Sequence, residues 1–580
     1  MCGICAGIGD ENQIKKVYEG LKKLEYRGYD SSGIAYLHDD KICSKKSVGQ
    51  LKMLESKLEG IEANVVIGHT RWATHGKVCE ENCHPHFSFD ENFAIVHNGI
   101  IENYKNIKRS LNVDEVSETD TEVFVNLIAT QSGDVLHKII EASKLVEGSF
   151  AFALLSKNSE KIYLGKRGSP LYVAINGKSA MSASDMSVFV DGFEECYVLE
   201  DNEFAEVEAN NIKFYDKNCK KIKKNSIFIK KYDFFKEENI DEKYFMLKEI
   251  KEQPFVLRKT FFKYFSEELL SESIIEKLKE FKQFHFIACG TAYHSALLGA
   301  KYIQDFCGKE TQVSVASEFR YCKNILSKNT IYIFVSQSGE TADTIASAKL
   351  VKDAGMSVMC VTNVPYCSLN NLADFVLPTF AGKEIAVAST KAYVAQVFTM
   401  LILAVRLANY DIQDLLRCFA MKLAVEDFDA KLLEEIAKFE KIYFMGRQQD
   451  YVTSLEAALK LKEIAYVNCL GIAAGELKHG TLALIDEKTL VVAISTQKNL
   501  KEKVESNIAE VKARGGKVLL VSNFEHLVEV DFKIDLLDFE ECFMPIASII
   551  PLQLLAFEYS KSLGLNPDKP RNLAKSVTVE

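Results

Sequence analysis

Ile331-Tyr332-Ile333-Phe334-Val335-Ser336-Gln337-Ser338-Gly339-Glu340-Thr341 is an apolar run that stops abruptly in hydroxyls and a glycine. An uninterrupted apolar run predicts a strand buried on both faces, and the polar stop predicts a turn that opens a helix. Strand, loop, helix and strand make the unit of a doubly wound parallel sheet. The unit occurs twice. After the quoted stretch come an apolar helix, Gly355, Val358 to Val361 and Asn363; Ile494-Ser495-Thr496-Gln497-Lys498, a helix, Gly515-Gly516, Val518 to Val521 and Asn523 echo them about 160 residues later. Phe286-Ile287-Ala288-Cys289-Gly290 is echoed likewise by Tyr443-Phe444-Met445-Gly446. Two similar α/β halves are therefore expected in the second part of the chain.

The loop Ser336 to Thr341 places hydroxyls at a helix start, where backbone N–H groups and the helix dipole favour an anion. It has no lysine and no Gly-x4-Gly-Lys-[Ser/Thr] pattern, so a monophosphate suits it better than a nucleotide. Serine and threonine also cap ordinary helices, and on the loop alone both readings stand. The matching loop of the second half, Ser495-Thr496-Gln497-Lys498-Asn499, lacks the glycine, so the phosphate site is expected in the first half only. On the helix Leu455 to Ile464, Lys460 and Glu463 are three apart and share a face, as a base and a cation for one substrate or as a plain ion pair. His479, in Gly475-Glu476-Leu477-Lys478-His479-Gly480, suits proton transfer near neutrality or serves only as a turn residue.

The whole chain has 580 residues, too many for one core, and three domains of ordinary size are expected. With 47% hydrophobic and 26% charged residues it reads as globular, and a net charge of −10 argues against nucleic acid or an anionic membrane as partner. Fifteen cysteines scattered without a signal peptide point to a reducing cytoplasm. The apolar stretch Val394 to Ala408 contains Gln396 and Arg406 and is shorter than the ~20 residues a membrane span needs, so it reads as a buried helix.

At the other end, Met1-Cys2-Gly3-Ile4 places a cysteine where removal of Met1 leaves a thiol beside a free α-amine, a nucleophile with its own base. A helix over Ile14 to Leu24 and short strands at Ile34 to Leu37, Val65 to Gly68, Phe93 to Val96 and Phe150 to Leu155 predict a layered, largely antiparallel α+β domain. Three polar clusters lie near the strand ends. Arg71 can bind a carboxylate and Asp120 an ammonium, the two ends of an amino acid, while Asn98 and the Gly99 N–H can form an oxyanion hole. Separately these residues also fit an Asn-Gly turn and solvated charges. Cys79, Cys83, His84 and His86 do not match the usual zinc-ligand spacings; no metal and no cofactor are expected.

Five ordered motifs resemble the glutaminase domain of the glutamine–fructose-6-phosphate aminotransferase (isomerizing) family: Met1-Cys2-Gly3-Ile4, Leu24-Glu25-Tyr26-Arg27-Gly28-Tyr29-Asp30-Ser31, His69-Thr70-Arg71-Trp72-Ala73-Thr74-His75-Gly76, His97-Asn98-Gly99-Ile100-Ile101-Glu102-Asn103 and Ser117-Glu118-Thr119-Asp120-Thr121-Glu122. The likeness continues through Ala288-Cys289-Gly290-Thr291, Ser336 to Thr341, Val387-Ala388-Ser389-Thr390-Lys391, Leu459-Lys460-Leu461-Lys462-Glu463, Gly475 to Gly480 and the terminal Pro570 to Glu580. It implies an N-terminal-nucleophile glutaminase domain at 2–225, doubly wound sugar-isomerase domains at 243–425 and 426–565, and a tail at 566–580 that enters the active site; the linker between the first two, 226–242, is read to within about ten residues from the charged runs Lys220-Lys221-Ile222-Lys223-Lys224 and Lys236-Glu237-Glu238. It implies glutamine and fructose 6-phosphate as substrates, with a homodimer the expected assembly.

The resemblance also implies residue roles. Cys2 attacks the glutamine amide over an oxyanion hole of Asn98 and Gly99; Arg71, Trp72, Thr74, His75, Gly99 and Asp120 bind glutamine, and Arg27 steadies the cysteine end. Ser336, Gln337, Ser338 and Thr341 hold the sugar phosphate, with Thr291, Val387, Ser389 and Ala574 lining the pocket. His479 opens the ketose ring, Glu463 moves a proton between C1 and C2 with Lys460 beside it, and Lys575 forms an imine. Ala292 and Thr481 depart from the family pattern without touching these roles. A phosphoribosyl-type amidotransferase would add an apolar strand ending in paired acids and a Thr-rich pyrophosphate loop, which are not found together. A sugar-phosphate-binding regulator with decayed catalysis would not need Cys2, Glu463, His479 and Lys575 intact.

Overall fold

The computed structural model describes residues 2–39, 41–72, 76–111, 113–189, 192–229, 242–267, 269–439 and 441–577. The chain forms two compact units, one of Met1–Phe235 with Ala574–Glu580 and one of Lys236–Leu573.

The first unit is built on two sheets whose mapped strand pairs are antiparallel. In one, the Gly3–Gly9 strand lies between Ser179–Ala183 and Val65–Arg71; in the other, Phe93–Ile101 pairs with Gly148–Ser156. Period-two alternation explains the stacking. Ile4, Ala6 and Ile8 point to one face and meet Ala94, Val96, Ala151 and Ala153 of the other sheet in a shared core. Cys5 points to the opposite face and packs with Ile14, Val17 and Leu21 of the Gln13–Leu24 helix. The outer face of the second sheet buries Phe93, Ile95 and Phe152 under helices Asp120–Thr130 and Val135–Leu145. The result is helix, sheet, sheet, helix, the layered α+β domain expected. Ile227–Phe228 still pairs with Glu195–Val198, so the sheet runs past the expected boundary at 225; most of the expected linker, 230–241, lies outside the described residues.

The second unit contains two five-stranded sheets with the same order. The first runs Glu310–Val315, Gln283–Ala288, Thr330–Ser336, Ser357–Thr362, Phe375–Pro378, and the second Leu470–Ala473, Lys441–Gly446, Thr489–Ser495, Lys517–Ser522, Phe532–Asp535. All of these pairs are parallel, and each chain path starts on the second strand of the row, steps outward once and then reverses. Ligands bind such sheets at the carboxyl ends of the two strands where the path reverses. In the first half those ends are Ala288 and Ser336, which place Cys289-Gly290-Thr291 and the Ser336 to Thr341 loop side by side.

Lys391–Leu407, read from sequence as a buried helix, has every residue buried except Arg406, whose guanidinium reaches the Leu270 carbonyl and Glu272. Each fully buried Leu, Val or Phe there contributes about 1.5–3 kcal/mol. Among the described residues, one helical stretch, Glu541–Ser562, is long and apolar enough to cross a membrane, and 83% of its apolar window is buried inside the protein.

Candidate active sites

In the first unit the start of the Gly3–Gly9 strand lies beside the end of Val65–Arg71, with Gly3 opposite Thr70. The half-buried Cys2 thiol therefore sits at Trp72: the Trp72 N–H donates to Sγ at 3.2 Å and Sγ lies 3.5 Å from the Trp72 carbonyl. Burial pushes the Cys2 thiol up from its ordinary value, while the Trp72 hydrogen bond and the Arg71 cation pull it down. Arg71 is the last residue of its strand and is buried. The Trp72 ring meets Tyr29 edge-on at 5.7 Å.

From the other sheet, the Asn98 side chain donates to the Cys2 carbonyl at 3.1 Å. Gly99 next to it has φ +138°, and a Cβ there would lie 2.1 Å from the Ser149 carbonyl oxygen, so only glycine lets the strand present its N–H in this way. Asp120 opens the Asp120–Thr130 helix, where Thr119 Oγ1 accepts from the Glu122 N–H, and its buried carboxylate accepts from the Ile101 N–H at 2.8 Å. Arg27 donates to the Ser184 carbonyl at 3.2 Å and pairs with Asp185. Ser184 Oγ in turn accepts from the Ile4 N–H at 3.1 Å, so Arg27 braces the strand that carries Cys2. Thr74 and His75 lie outside the described residues.

Sequence reading quoted His69 and His97 within motifs without giving them a role and set His84 and His86 aside as zinc ligands; all four imidazoles are buried behind this site. His69 stacks on His84 at 4.1 Å, His84 meets His86 edge-on at 4.7 Å, and His97 Nδ1 lies 2.9 Å from Thr121 Oγ1. Burial pulls His69 down to about 3, and His84 and His86 well below their ordinary value, so these three are neutral. Among the described residues no group of His, Cys, Asp or Glu could hold a metal.

In the second unit the Ser336 to Thr341 loop is tied to itself. Ser336 Oγ accepts from the Gly339 N–H at 3.0 Å and lies 3.1 Å from Thr341 Oγ1, while Ser338 Oγ accepts from the Glu340 N–H at 3.2 Å. Thr341 stands at the N-cap of the Ala342–Asp353 helix yet makes no side-chain cap bond, so its hydroxyl stays in the loop. Gly339 has φ +67°, and a Cβ would lie 2.1 Å from Cys367 Sγ. In the second half the matching loop is already filled by an anion. Asp450 accepts from the Thr496 N–H at 2.8 Å, the Thr496 hydroxyl at 2.5 Å and Gln497 Nε2 at 3.2 Å, and burial pushes its carboxyl up to about 6.

From the second half, Lys460 is fully buried on the Gln449–Ala465 helix with Nζ 2.8 Å from Glu463, 3.3 Å from Glu456 and 3.0 Å from Thr291 Oγ1. Glu456 also accepts from Thr291 Oγ1 at 3.0 Å and contacts His294 Nδ1 at 2.7 Å. Burial works against the Lys460 charge, but the two carboxylates outweigh it and raise its pKa. Glu456 and His294 were missed from sequence, although Glu456-x3-Lys460-x2-Glu463 is one face of one helix.

Val387 and Ser389 lie on a loop held from below. The Val387 N–H donates to the Asp568 carbonyl at 3.1 Å, and Ser389 Oγ to Glu384 at 2.9 Å. His479 ends a short 3-10 turn, exposed and without a side-chain hydrogen bond among the described residues. Ala574 and Lys575, both half-buried, fall in the segment that the first compact unit takes in.

Sequence models of two domain families match the chain: a glutamine amidotransferase domain over residues 57–232 and a SIS domain twice, over 277–406 and 435–558. The chain is 41% identical over its full length, and the full length of the relative, to glutamine–fructose-6-phosphate aminotransferase (isomerizing) of Clostridium acetobutylicum. The corresponding protein of Caldanaerobacter subterraneus is 40% identical, again with complete coverage of both. The chain belongs to the glutamine–fructose-6-phosphate aminotransferase (isomerizing) family. Among solved structures, the C-terminal domain of the Francisella tularensis glucosamine-fructose-6-phosphate aminotransferase matches with a TM-score of 0.52 and 31% identity, over 57% of this chain and 99% of that one. In this aminotransferase chain the amidotransferase region precedes the paired SIS regions.

Proposed function

We propose that the protein transfers the amide nitrogen of glutamine to fructose 6-phosphate, giving glucosamine 6-phosphate and glutamate. The observation that carries this reading is the Cys2 thiol at the end of a strand, hydrogen-bonded to the Trp72 N–H, with the Asn98 amide against its backbone. In the first unit the Cys2 thiolate attacks the side-chain carbonyl of glutamine and Asn98 with Gly99 stabilises the oxyanion. Ammonia leaves, and water releases glutamate from the thioester. Arg71 and Asp120 hold the ends of the amino acid, with Trp72, Thr74 and His75 beside them. In the second unit the Ser336 to Thr341 loop holds the phosphate, and Thr291, Val387 and Ser389 line the sugar pocket. His479 opens the ring, Lys575 captures the ketone as an imine, and Glu463 moves the proton between C1 and C2 beside the cation of Lys460.

Ammonia freed into water is protonated and lost as a nucleophile, so delivery inside the protein makes chemical sense, with Trp72 as its gate. Trp72→Ala is expected to leave glutamine hydrolysis within about threefold of wild type while amino-sugar formation falls at least about tenfold. Parallel assays of glutamate and glucosamine 6-phosphate read the difference, and equal loss of both contradicts the gate. A homodimer in the cytoplasm is the expected setting; fifteen free cysteines suit a reducing compartment, and the dimer rests on the family resemblance. The proposed activity is tested by glutamate release from glutamine with and without fructose 6-phosphate. Release that yields amino sugar only with the sugar phosphate supports it, and no release by enzyme with a processed terminus refutes it.

A further inference from the structure

His69 Nε2 lies 3.0 Å from the His97 carbonyl oxygen and 3.0 Å from Asn98 Oδ1. A backbone carbonyl only accepts, so Nε2 carries the proton, and the same N–H is shared with the Asn98 side chain. That fixes which way the amide faces. Its oxygen turns to the imidazole and its NH2 turns to Cys2, where Nδ2 donates to the Cys2 carbonyl at 3.1 Å. A flipped amide would set NH2 against N–H on one side and oxygen against the Cys2 carbonyl on the other. His69 itself cannot turn: it is fully buried on the Val65–Arg71 strand and stacked on His84 at 4.1 Å. In that tautomer Nδ1 is an acceptor, and it has no hydrogen-bond partner among the described residues.

We infer that His69 is a positioning residue for glutamine hydrolysis, holding the Asn98 amide with its N–H groups toward the oxyanion. The inference rests on the glutaminase reading above. A hydrogen bond to the oxyanion acts in the transition state, so loss of its orientation lowers kcat more than it raises KM.

The test compares His69→Met, similar in reach but without a donor, with His69→Gln, whose amide nitrogen can replace Nε2–H. His69→Met is expected to lower kcat for glutamate release about 10- to 100-fold with KM for glutamine changed less than about threefold, and His69→Gln to recover to within about threefold of wild type. Alkylation of Cys2 by iodoacetamide, followed on the N-terminal peptide by mass analysis, forms no oxyanion and is expected to proceed at the wild-type rate in both variants. Equal losses in the two variants, or a wild-type kcat in His69→Met, overturn the inference. If His69→Met does not fold, His69→Gln decides alone: a kcat within threefold supports the role, and a tenfold loss overturns it. Wild-type enzyme that releases no glutamate refutes the glutaminase reading itself, which separates the two failures.

Discussion

Cys2→Ala is expected to reduce glutamine hydrolysis by about 10⁴-fold or more while leaving the fold and glutamine binding intact. The loss is large because no other group replaces the thiol: the neighbouring Cys5 is fully buried on the opposite face of the strand, where burial pushes its thiol up to about 12. The fold survives because Cys2 is half-buried and, among the described residues, its sulfur hydrogen-bonds only to the Trp72 backbone, weak bonds worth less than about 1 kcal/mol in total. Binding survives because Arg71 and Asp120, which hold the amino acid on the proposed reading, keep their supports: Arg71 ends an intact strand and Asp120 is fixed by the Ile101 N–H. Titration calorimetry with glutamine, beside an assay of glutamate, checks both parts. Residual hydrolysis near the wild-type rate would remove Cys2 from the chemistry, and loss of binding would make its role structural.

Lys460→Met is expected to destabilise the second unit by about 3–5 kcal/mol, because it leaves two carboxylates facing each other without the cation between them. Glu456 is the more exposed to this loss, since it is fully buried and, among the described residues, keeps only His294 and Thr291 as side-chain partners. Adding Glu456→Gln should restore much of the stability, while amino-sugar formation stays lost because the charge beside Glu463 is absent in both variants. The pH dependence distinguishes this from simple cavity formation. In the wild type, burial raises the Glu456 pKa, but Lys460, His294 and Thr291 outweigh it and hold the folded value below its ordinary 4.5. Its contribution is present above that pH and lost as pH falls through the lower folded value. Without Lys460 burial dominates, the folded value rises, and stability should instead fall as pH rises above 4.5. Urea midpoints at several pH values read the sign; a midpoint unchanged from wild type would show that the buried pair contributes nothing.

The doubled α/β half was legible because its strands are buried on both faces and so appear as plain apolar runs: Ile331 to Val335 and Val358 to Val361 both lie in parallel strands. In the first domain the strands were legible, but which sheet faces which was not. Alternation of Ile4, Cys5 and Ala6 says that two faces differ, not that Ala94 and Ala153 cover one of them and the Gln13–Leu24 helix the other. The same limit hid the last strand pair of that domain, since the pairing of Ile227–Phe228 with Glu195–Val198 is a long-range choice that a charged run does not reveal. Motif residues that act on substrate were easier to find than those behind them. His69 was quoted within its motif, and its bond to Asn98 joins strands of two different sheets. Glu456 was missed because an acid four residues before a lysine is ordinarily a solvated pair, and only packing shows that this one is buried.

The central claim is tested most directly with glutamine labelled with 15N in the amide, incubated with fructose 6-phosphate and enzyme whose Met1 has been removed. The account predicts a hexosamine phosphate heavier by one mass unit, formed together with unlabelled glutamate. A sugar product that never carries the label, from enzyme that does hydrolyse glutamine, would contradict it.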